Sequence, residues 1–531
     1  MVNGKPVIIV GGGLNGLTMA ALLGAHRVPC VVVERHPGTS IQYKFAGISP
    51  RSMEIFRGLG IEAEIRANRT GDQQGGGVAR GKNLSDPDIA WTGAAWPDAS
   101  PFSPTQPATC DQHVLEPILR ARASSLGADI RFNTELLSLE QDREGVRATI
   151  RDLGADTRSK IHGSYLVAAD GANGTVRDSL GISRSGPGVL QHWMNIIFDT
   201  DLPNTLDGRR FTSCFVSDIN GTFTPREGGR WLLALQYDPD KGERPEDFDE
   251  NKCKELIRKG AGRSDARVDL VDARSWQAAA FVADTFQNRR CFLVGDAAHL
   301  MPPPGAFGGN SGIHDAHNLA WKLAHVLRGA AREFLLESYD AERRPVIEAT
   351  MVQSLARLQR WFQDLGGRLP PPAQMVPDYD VVLGQHYTRG AVRPENAAGG
   401  SSFADHRELV GQPGTRVPHF SISRSGKDLS TLDLFGRDCV LLHGPGMDWK
   451  SVLEELAEHG FAVSGFQFEI DDHAPGTIPW FERLGVTESG AVLVRPDGFV
   501  AWRSDGFSRQ SAGSLINALR DFGLVPAGQN Q

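Results

Sequence analysis

The run Val7-Ile8-Ile9-Val10-Gly11-Gly12-Gly13-Leu14-Asn15-Gly16 decides how the chain begins. Its four apolar residues read as a buried strand, its glycines as a tight turn, and the stretch to about Ala25 as an amphipathic helix. A second strand, Cys30-Val31-Val32-Val33, ends at Glu34, which makes the opening a βαβ unit. Glycines in such a turn let the backbone approach a pyrophosphate at the helix N-terminus, and the later acid accepts hydrogen bonds from ribose hydroxyls. The glycine spacing alone is also that of a packing turn. Its place between strand and helix, with Glu34 following, favours dinucleotide binding.

Two later segments belong with it. Tyr165-Leu166-Val167-Ala168-Ala169-Asp170-Gly171 delivers an Asp-Gly at the end of a buried strand; taken alone, that Asp reads better as the cap of the following helix. More specific is Cys291-Phe292-Leu293-Val294-Gly295-Asp296-Ala297-Ala298-His299, followed by Pro302-Pro303-Pro304-Gly305-Ala306-Phe307-Gly308-Gly309-Asn310-Ser311-Gly312. Ile313, Ala316, Leu319, Ala320 and Leu323 then recur at helical spacing. Asp296 can hold the ribityl and pyrophosphate side of FAD, and the Pro/Gly segment can lie flat against an isoalloxazine ring. A helix beginning at Gly312 would aim free N–H groups at the flavin pyrimidine edge, favouring the reduced anion by ~0.3–2 kcal/mol.

The bulk numbers narrow the alternatives. At 531 residues the chain holds two or three domains. Its 56 Lys plus Arg against 64 Asp plus Glu, a formal charge of -8, exclude a phosphate-neutralising surface, so no nucleic acid partner is expected. Six scattered cysteines without a CxxC pair predict no disulfide framework, no metal site and a cytoplasmic setting. The N-terminus reads as a first strand rather than a signal peptide, and without a long apolar stretch no membrane contact is expected.

The predicted fold is α/β: a Rossmann-like FAD-binding domain, an inserted β-sheet substrate domain and a C-terminal thioredoxin-like domain. The FAD-binding domain is assigned to 1–187 and 287–365, the substrate domain to 188–286, a linker to 366–402 and the last domain to 403–531. Residues 68–107, rich in Gly, Pro, Asp and Ser, read as a long covering loop. The last domain carries His443-Gly444-Pro445-Gly446 after its first strand, so dithiol chemistry is excluded. It reads as a packing or dimerisation module, the latter implying a homodimer.

The three motifs in this order resemble the class A flavoprotein aromatic hydroxylases, over nearly the whole chain. Within that class the chain is most similar to the aromatic polyketide hydroxylases of the aklavinone type, through Tyr237 to Phe248, Ser430 to Gly436, and Leu493 to Gly498 with Ala501-Trp502-Arg503. The resemblance implies a monooxygenase that uses FAD, NADPH or NADH, and O2. It would hydroxylate a small aromatic substrate, a phenolic or heteroaromatic ring of a polyketide-derived natural product, through a flavin C4a-hydroperoxide. Carried over by motif, the FAD residues are Gly11, Gly13, Gly16, Glu34, Arg35, Gln112, Asp170, Gly171, Asp296, Pro303, Gly308, Asn310, Gly312 and Ile313. Asp170 and Gly171 match a segment implicated in NADPH binding as well. Pro303 and Lys44 stand as catalytic candidates, and Phe45, Phe223, Gln236, Tyr237 and Phe307 as substrate-pocket candidates.

Three departures from the family pattern stand out. Lys44-Phe45-Ala46-Gly47 replaces an Arg-Ala-x-Gly segment, exchanging a planar fork for a point charge. Gly305-Ala306-Phe307 replaces Gly-Gly, so that Phe307 is either pocket or core. Gly174 replaces a serine, which should loosen only a cap. Ionising a phenol of pKa ~10 at pH 7 costs roughly 4 kcal/mol, so an activating group or a naturally acidic phenol is expected, and no base is evident. Competing readings are an antibiotic-inactivating monooxygenase and a non-catalytic FAD-binding interaction protein.

Overall fold

The computed structural model describes residues 4–69, 77–92, 96–361, 369, 373–395, 400–424, 427–445, 447–468 and 478–526. Gly446 and parts of 366–402 and 68–107 therefore lie outside the described residues. In chain order, β1 (Val7–Val10), α1 (Leu14–Ala25) and β2 (Cys30–Val33) are followed by α2 (Pro50–Gly58), α3 (Gln112–Ser125) and β3 (Tyr165–Ala168). Next come β4 (Arg184–Thr200), β5 (Arg230–Tyr237), α4 (Glu250–Ala261) and β6 (Val268–Ala283), and then the long helices α5 (Phe307–Leu327) and α6 (Glu337–Trp361) and the short α7 (Asp378–Val382).

One sheet has β1 at its centre, flanked by parallel β2 and β3, with Cys291–Leu293 beside β3 and Asp129–Arg131 beside β2. All four residues of β1, β2 and β3 are buried, as expected for parallel strands covered on both faces. The carboxyl ends of these strands bring Gly11, Glu34 and Asp170 to one edge.

The larger sheet runs in the order His299–Leu300, β6, β4, β5, Gly221–Pro225, Arg209–Val216, Gly77–Gly81, Ala90–Thr92. Its last two members correct the reading of 68–107 as a covering loop: Gly77–Gly81 pairs in parallel with Arg209–Val216. A strand rich in glycine and arginine has little β-propensity of its own and is held by its partner. One face of this sheet packs Phe198, Phe223, Trp231 and Leu233 under α4 in a separate core.

Residues 373–395 are not a free linker either. Tyr379, Val381, Val382 and Leu383 of the α7 segment are buried with Phe307, and Arg343 of α6 reaches Gln385 and Tyr387. The C-terminal unit has Cys439–His443 between parallel Val463–Gln467 and antiparallel Ala491–Val494, with Val500–Ser504 outermost. That is the strand order of a thioredoxin-like sheet. Among the described residues no helix is long and apolar enough to cross a membrane.

Candidate active site

The glycine loop is built for close approach. Gly11 has φ +105°, and a Cβ there would lie 2.3 Å from Ala169 O; a Cβ on Gly16 would lie 1.9 Å from Gly11 O. Gly12 N–H donates to Glu34 Oε2 at 2.6 Å, while Glu34 Oε1 accepts from His36 N at 2.8 Å. Gly13 caps α1 without a side-chain acceptor of its own and no acid lies in the first turn, so the carboxylate that meets this end is that of Glu116, which takes Leu14 N–H. Arg35 is exposed beside it.

Glu116 of α3 is a residue that motif reading missed. Fully buried, it accepts from Gln112 Nε2 and Ser40 N at 2.6 Å each, and burial pushes its carboxyl up. Gln112 therefore spends its amide on Glu116 and bears on the loop through it. Asn15 is another. Its side chain fills the space between the first and third motifs, for a Cβ on Gly295 or Gly312 would fall 1.9 or 2.4 Å from Asn15 Nδ2. A polar residue at a place where the turn needs none was the available signal.

At the second motif Asp170 Oδ2 accepts from Val176 N at 3.1 Å, and Gly171 has φ +81° with open space where a Cβ would go. A Cβ on Gly174 would stand 2.1 Å from the Asp170 carboxyl carbon. Gly174 thus does more than loosen a cap: it makes room for this carboxyl, and a serine would displace it.

At the third motif Asp296 lies deep in the fold with its side chain open to the cleft. Burial raises its carboxyl, opposed by the charges of His299 and, more weakly, of exposed Lys44. Beneath, Asp315 Oδ2 takes Gly295 N–H at 3.1 Å and His299 Nε2 at 2.7 Å, and Asp315 Oδ1 takes Arg343 Nε at 2.8 Å. Burial pushes Asp315 up, but Arg343 and His299 outweigh it and bring the carboxyl down to about 2. Pro303 is exposed at a turn closed by Ala306 N–H donating to Pro303 O at 2.9 Å. Ser354 of α6 pins the flanking Pro302 and Pro304 carbonyls at 2.8 and 3.2 Å.

The helix after the prolines begins at Phe307, not Gly312. Its free N–H groups therefore belong to residues 307–309, where Gly308 lies, and its cap is Ala306 at φ +54°, without a side-chain acceptor. Gly312 and Ile313 lie inside the helix, Ile313 wholly in the core, and neither offers a first-turn N–H. Asn310 spends its whole amide on protein: Oδ1 accepts from Ser49 N (2.9 Å) and Ser52 Oγ (2.7 Å), and Nδ2 donates to Gly47 O (2.9 Å) and Ala306 O (2.7 Å).

Most pocket candidates turn away. Phe223 is buried in the core under α4, and Tyr237 points to the same side of the sheet, packed on Phe248 with ring centroids 5.8 Å apart. Phe307 is core as well, beneath Arg357 at 5.0 Å, and Phe45 lies on Gly309. Gln236 is on the opposite face of β5, beside Trp193 in the ladder, and accepts from Asn220 Nδ2 at 2.9 Å. That face also carries Asp272, whose Oδ2 takes Gln42 Nε2 at 2.7 Å and so turns the sheet toward the Lys44 segment.

Two helix N-termini whose own cap residues supply no side-chain acceptor, a glycine cradle that a Cβ would fill and an open acid between them fit a dinucleotide cofactor. The FAD binding domain family model matches residues 5–354, and the aromatic-ring hydroxylase C-terminal model matches 410–523. The chain belongs to the FAD-binding aromatic-ring hydroxylases. This hydroxylase is similar to the tetracenomycin A2 monooxygenase-dioxygenase of Streptomyces glaucescens, 37% identical over 97% of this chain and 96% of the relative. It is nearly as similar to a 4-methyl-5-nitrocatechol 5-monooxygenase of a Burkholderia species, 36% identical over 97% of each chain. Among solved structures, a ternary complex of aklavinone-11 hydroxylase with FAD and aklavinone superposes with a TM-score of 0.90 at 36% identity, covering 98% of this chain and 99% of that one.

One expected result concerns Gly312. In this hydroxylase a valine there collides with the Asn15 side chain, driving the glycine loop aside. Gly312→Val should lose FAD, measured as flavin absorbance per protein, and Asn15→Ala should restore part of it. A fully loaded single variant would refute this coupling.

Proposed function

We propose that this hydroxylase inserts one oxygen atom of O2 into a phenolic ring of a fused-ring, polyketide-like natural product, with NADPH or NADH as hydride donor. The observation that carries the substrate class is the pair Trp193 and Trp276, stacked at 5.9 Å and 14° on the sheet face turned toward the Lys44 segment. Trp276 Nε1 donates to Asn195 Oδ1 at 2.8 Å, which fixes its ring as a flat wall suited to fused aromatics. Relatives acting on tetracenomycin and on aklavinone support the same class, although the similar identity to the nitrocatechol enzyme means that overall likeness does not choose between large and small rings.

Bound FAD accepts a hydride and activates O2. The chain's own residues arrange the rest. Gly11, Gly13 and Gly16 with the α1 N-terminus take the pyrophosphate, Glu34 the ribose, and Asp296 and the Pro303 turn the flavin end. The uncapped start of α5 stabilises negative charge at the ring by ~0.3–2 kcal/mol. Lys44, an exposed point charge whose field reaches Asp296, offers a positive field at the cleft that lowers the cost of holding a phenolate. The six free, buried cysteines suit a reducing cytoplasmic setting. The C-terminal unit serves packing within one chain rather than dimerisation, a reading supported by its buried ion pairs to α2 and α6, Arg416–Glu54 and Arg495–Glu342.

The test is NAD(P)H oxidation with a panel running from simple phenols and hydroxypyridines to fused tetracyclic phenols, with products weighed by mass spectrometry. A fused substrate that gains one oxygen is the expected outcome; turnover confined to single-ring phenols would overturn the substrate class.

A further inference from the structure

Arg343 of α6 can only donate hydrogen bonds, and it fixes the direction of a buried chain that ends at the start of α5. Its Nη1 donates to Gln385 Oε1 at 2.8 Å. The Gln385 amide nitrogen therefore faces the other way, giving one N–H to Val381 O and the other to His314 Nδ1, both at 3.2 Å. At the far end the Gly47 and Ala306 carbonyls both take Asn310 Nδ2, so Asn310 Oδ1 is an acceptor and receives Ser52 Oγ–H at 2.7 Å. Between these fixed ends His314 Nε2 lies 3.2 Å from Ser52 Oγ, whose proton is already spent. The imidazole is thereby assigned as neutral, with its proton on Nε2 and its lone pair on Nδ1. All five side chains are buried. Burial, with the charges of Arg343 and Arg51, keeps His314 well below the ordinary histidine value, which preserves this form.

On its other flank His314 borders a small cavity that it shares with Arg51, His317, Asn318 and Tyr387. Packing alone therefore does not hold the ring; its two hydrogen bonds do. We infer that His314 is a positioning residue: it carries the placement of Gln385, just past α7, through Ser52 to Asn310, and so aims the free N–H groups of residues 307–309 at the flavin. The inference rests on the flavin placement proposed above. A chain in which every donor has its acceptor in order resists rotation of any member, because a turned group sets donor against donor. Leucine at 314 cuts it. Gln385 Nε2 loses a partner, and Ser52 loses the donor that steers its hydroxyl toward Asn310. The start of α5 is then held less firmly, and the negative charge of the reduced ring is less stabilised. Glutamine spares the chain, since its amide nitrogen can donate where Nε2 did while its oxygen accepts from Gln385.

The experiment measures the flavin reduction potential of the FAD-loaded protein and of its His314→Leu, His314→Gln and Ala306→Asp variants against reference dyes. His314→Leu should shift the two-electron reduction equilibrium toward oxidised flavin by roughly two- to tenfold, and His314→Gln should recover most of that shift. Ala306→Asp tests the flavin placement by itself: it sets a negative charge at the helix cap, where an aspartate tolerates the left-handed backbone, and should shift the equilibrium the same way. A leucine variant at the wild-type potential, whatever its melting temperature, or a glutamine variant shifted as far as leucine, would overturn the assignment. Should leucine strip the flavin, flavin absorbance per protein takes the place of the potential; retention by the glutamine variant then supports the role, and equal loss in both overturns it. If Ala306→Asp moves the potential and His314→Leu does not, the role of His314 falls and the flavin placement stands. An Ala306→Asp protein at the wild-type potential removes the placement and the inference with it.

Discussion

Replacing Asn310 by leucine is expected to give a protein that purifies without FAD and melts roughly 10 °C below wild type. The asparagine ties the first turn of α5 to Gly47 and to the N-terminus of α2 through three hydrogen bonds, and to its own cap Ala306 through a fourth. Leucine fills similar volume but leaves Gly47 O and Ser49 N–H without their partner in a buried place, and takes from Ala306 O its second hydrogen bond. At about 1–3 kcal/mol for each orphaned group, a loss near 3–5 kcal/mol follows after partial rehydration. Ala306 already sits at φ +54°, where a side chain is disfavoured, and the bond from Asn310 helps hold it there. Once that bond goes, the free N–H groups of residues 307–309 no longer point together. Asn310→Asp, keeping the acceptor bonds and losing both donors, should fall between. A leucine variant with full flavin absorbance and an unchanged melt would sink this account.

The second large effect lies between the domains. Arg495 donates to Glu342 at 2.8 and 2.9 Å and to Asp497 at 3.0 Å through Nε, and lies over the rings of Trp321, Tyr387 and Phe499. Lys322 also reaches Glu342 at 2.8 Å, but burial beside Arg495 lowers it to about 8, so Arg495 is the firmer counter-ion. Arg495→Met leaves two buried carboxylates short of charge and should cost about 3–5 kcal/mol, seen as a lower denaturant midpoint and earlier proteolysis of the C-terminal unit. Arg495→Lys should rescue little, since one ammonium cannot serve two carboxylates in a plane. The pH dependence has a definite sign. Burial raises Glu342 and Asp497, Arg495 outweighs it, and both carboxyls end below their ordinary values. Their contribution is present above the unfolded carboxyl range and is lost as pH falls through the lowered folded values. In the methionine variant that acid limb should move to higher pH; an unchanged limb would show that Arg495 does not hold these groups.

The parts of the fold legible in the sequence were those with a period or a punctuation of their own. The opening βαβ unit, the long helices and the final strand pair could be read because burial on one or both faces leaves a repeating trace. Gly77–Gly81 could not, because a strand at the far side of a sheet is made by its partner, Arg209–Val216, which lies more than a hundred positions away. The helix start at Phe307 was missed for a local reason: its cap is an alanine in a left-handed conformation, which carries no capping signal. For the site, glycines and acids in a motif name an anchor but not a direction. Phe223 and Gln236 have similar surroundings in sequence, yet strand alternation sends one into the core and the other to the opposite face. Asn15 and Glu116 act through distant partners, and such relations have no sequence period.

His299–Leu300, directly after the Asp296 turn, pairs with Val282 and Phe281 as the outer strand of the large sheet, and Gly77–Gly81 with Ala90–Thr92 closes the other side of it. The unit that can be exchanged between relatives is therefore not the contiguous stretch 184–283. A graft of that stretch alone would join a foreign strand to a resident one at Phe281 and Leu300, and again at Gly77–Gly81. A chimera meant to transplant ring preference must carry three separated segments, 77–92, 184–283 and 299–300, and its breakpoints belong at Leu293 and at Pro302, on either side of the turn that both partners share.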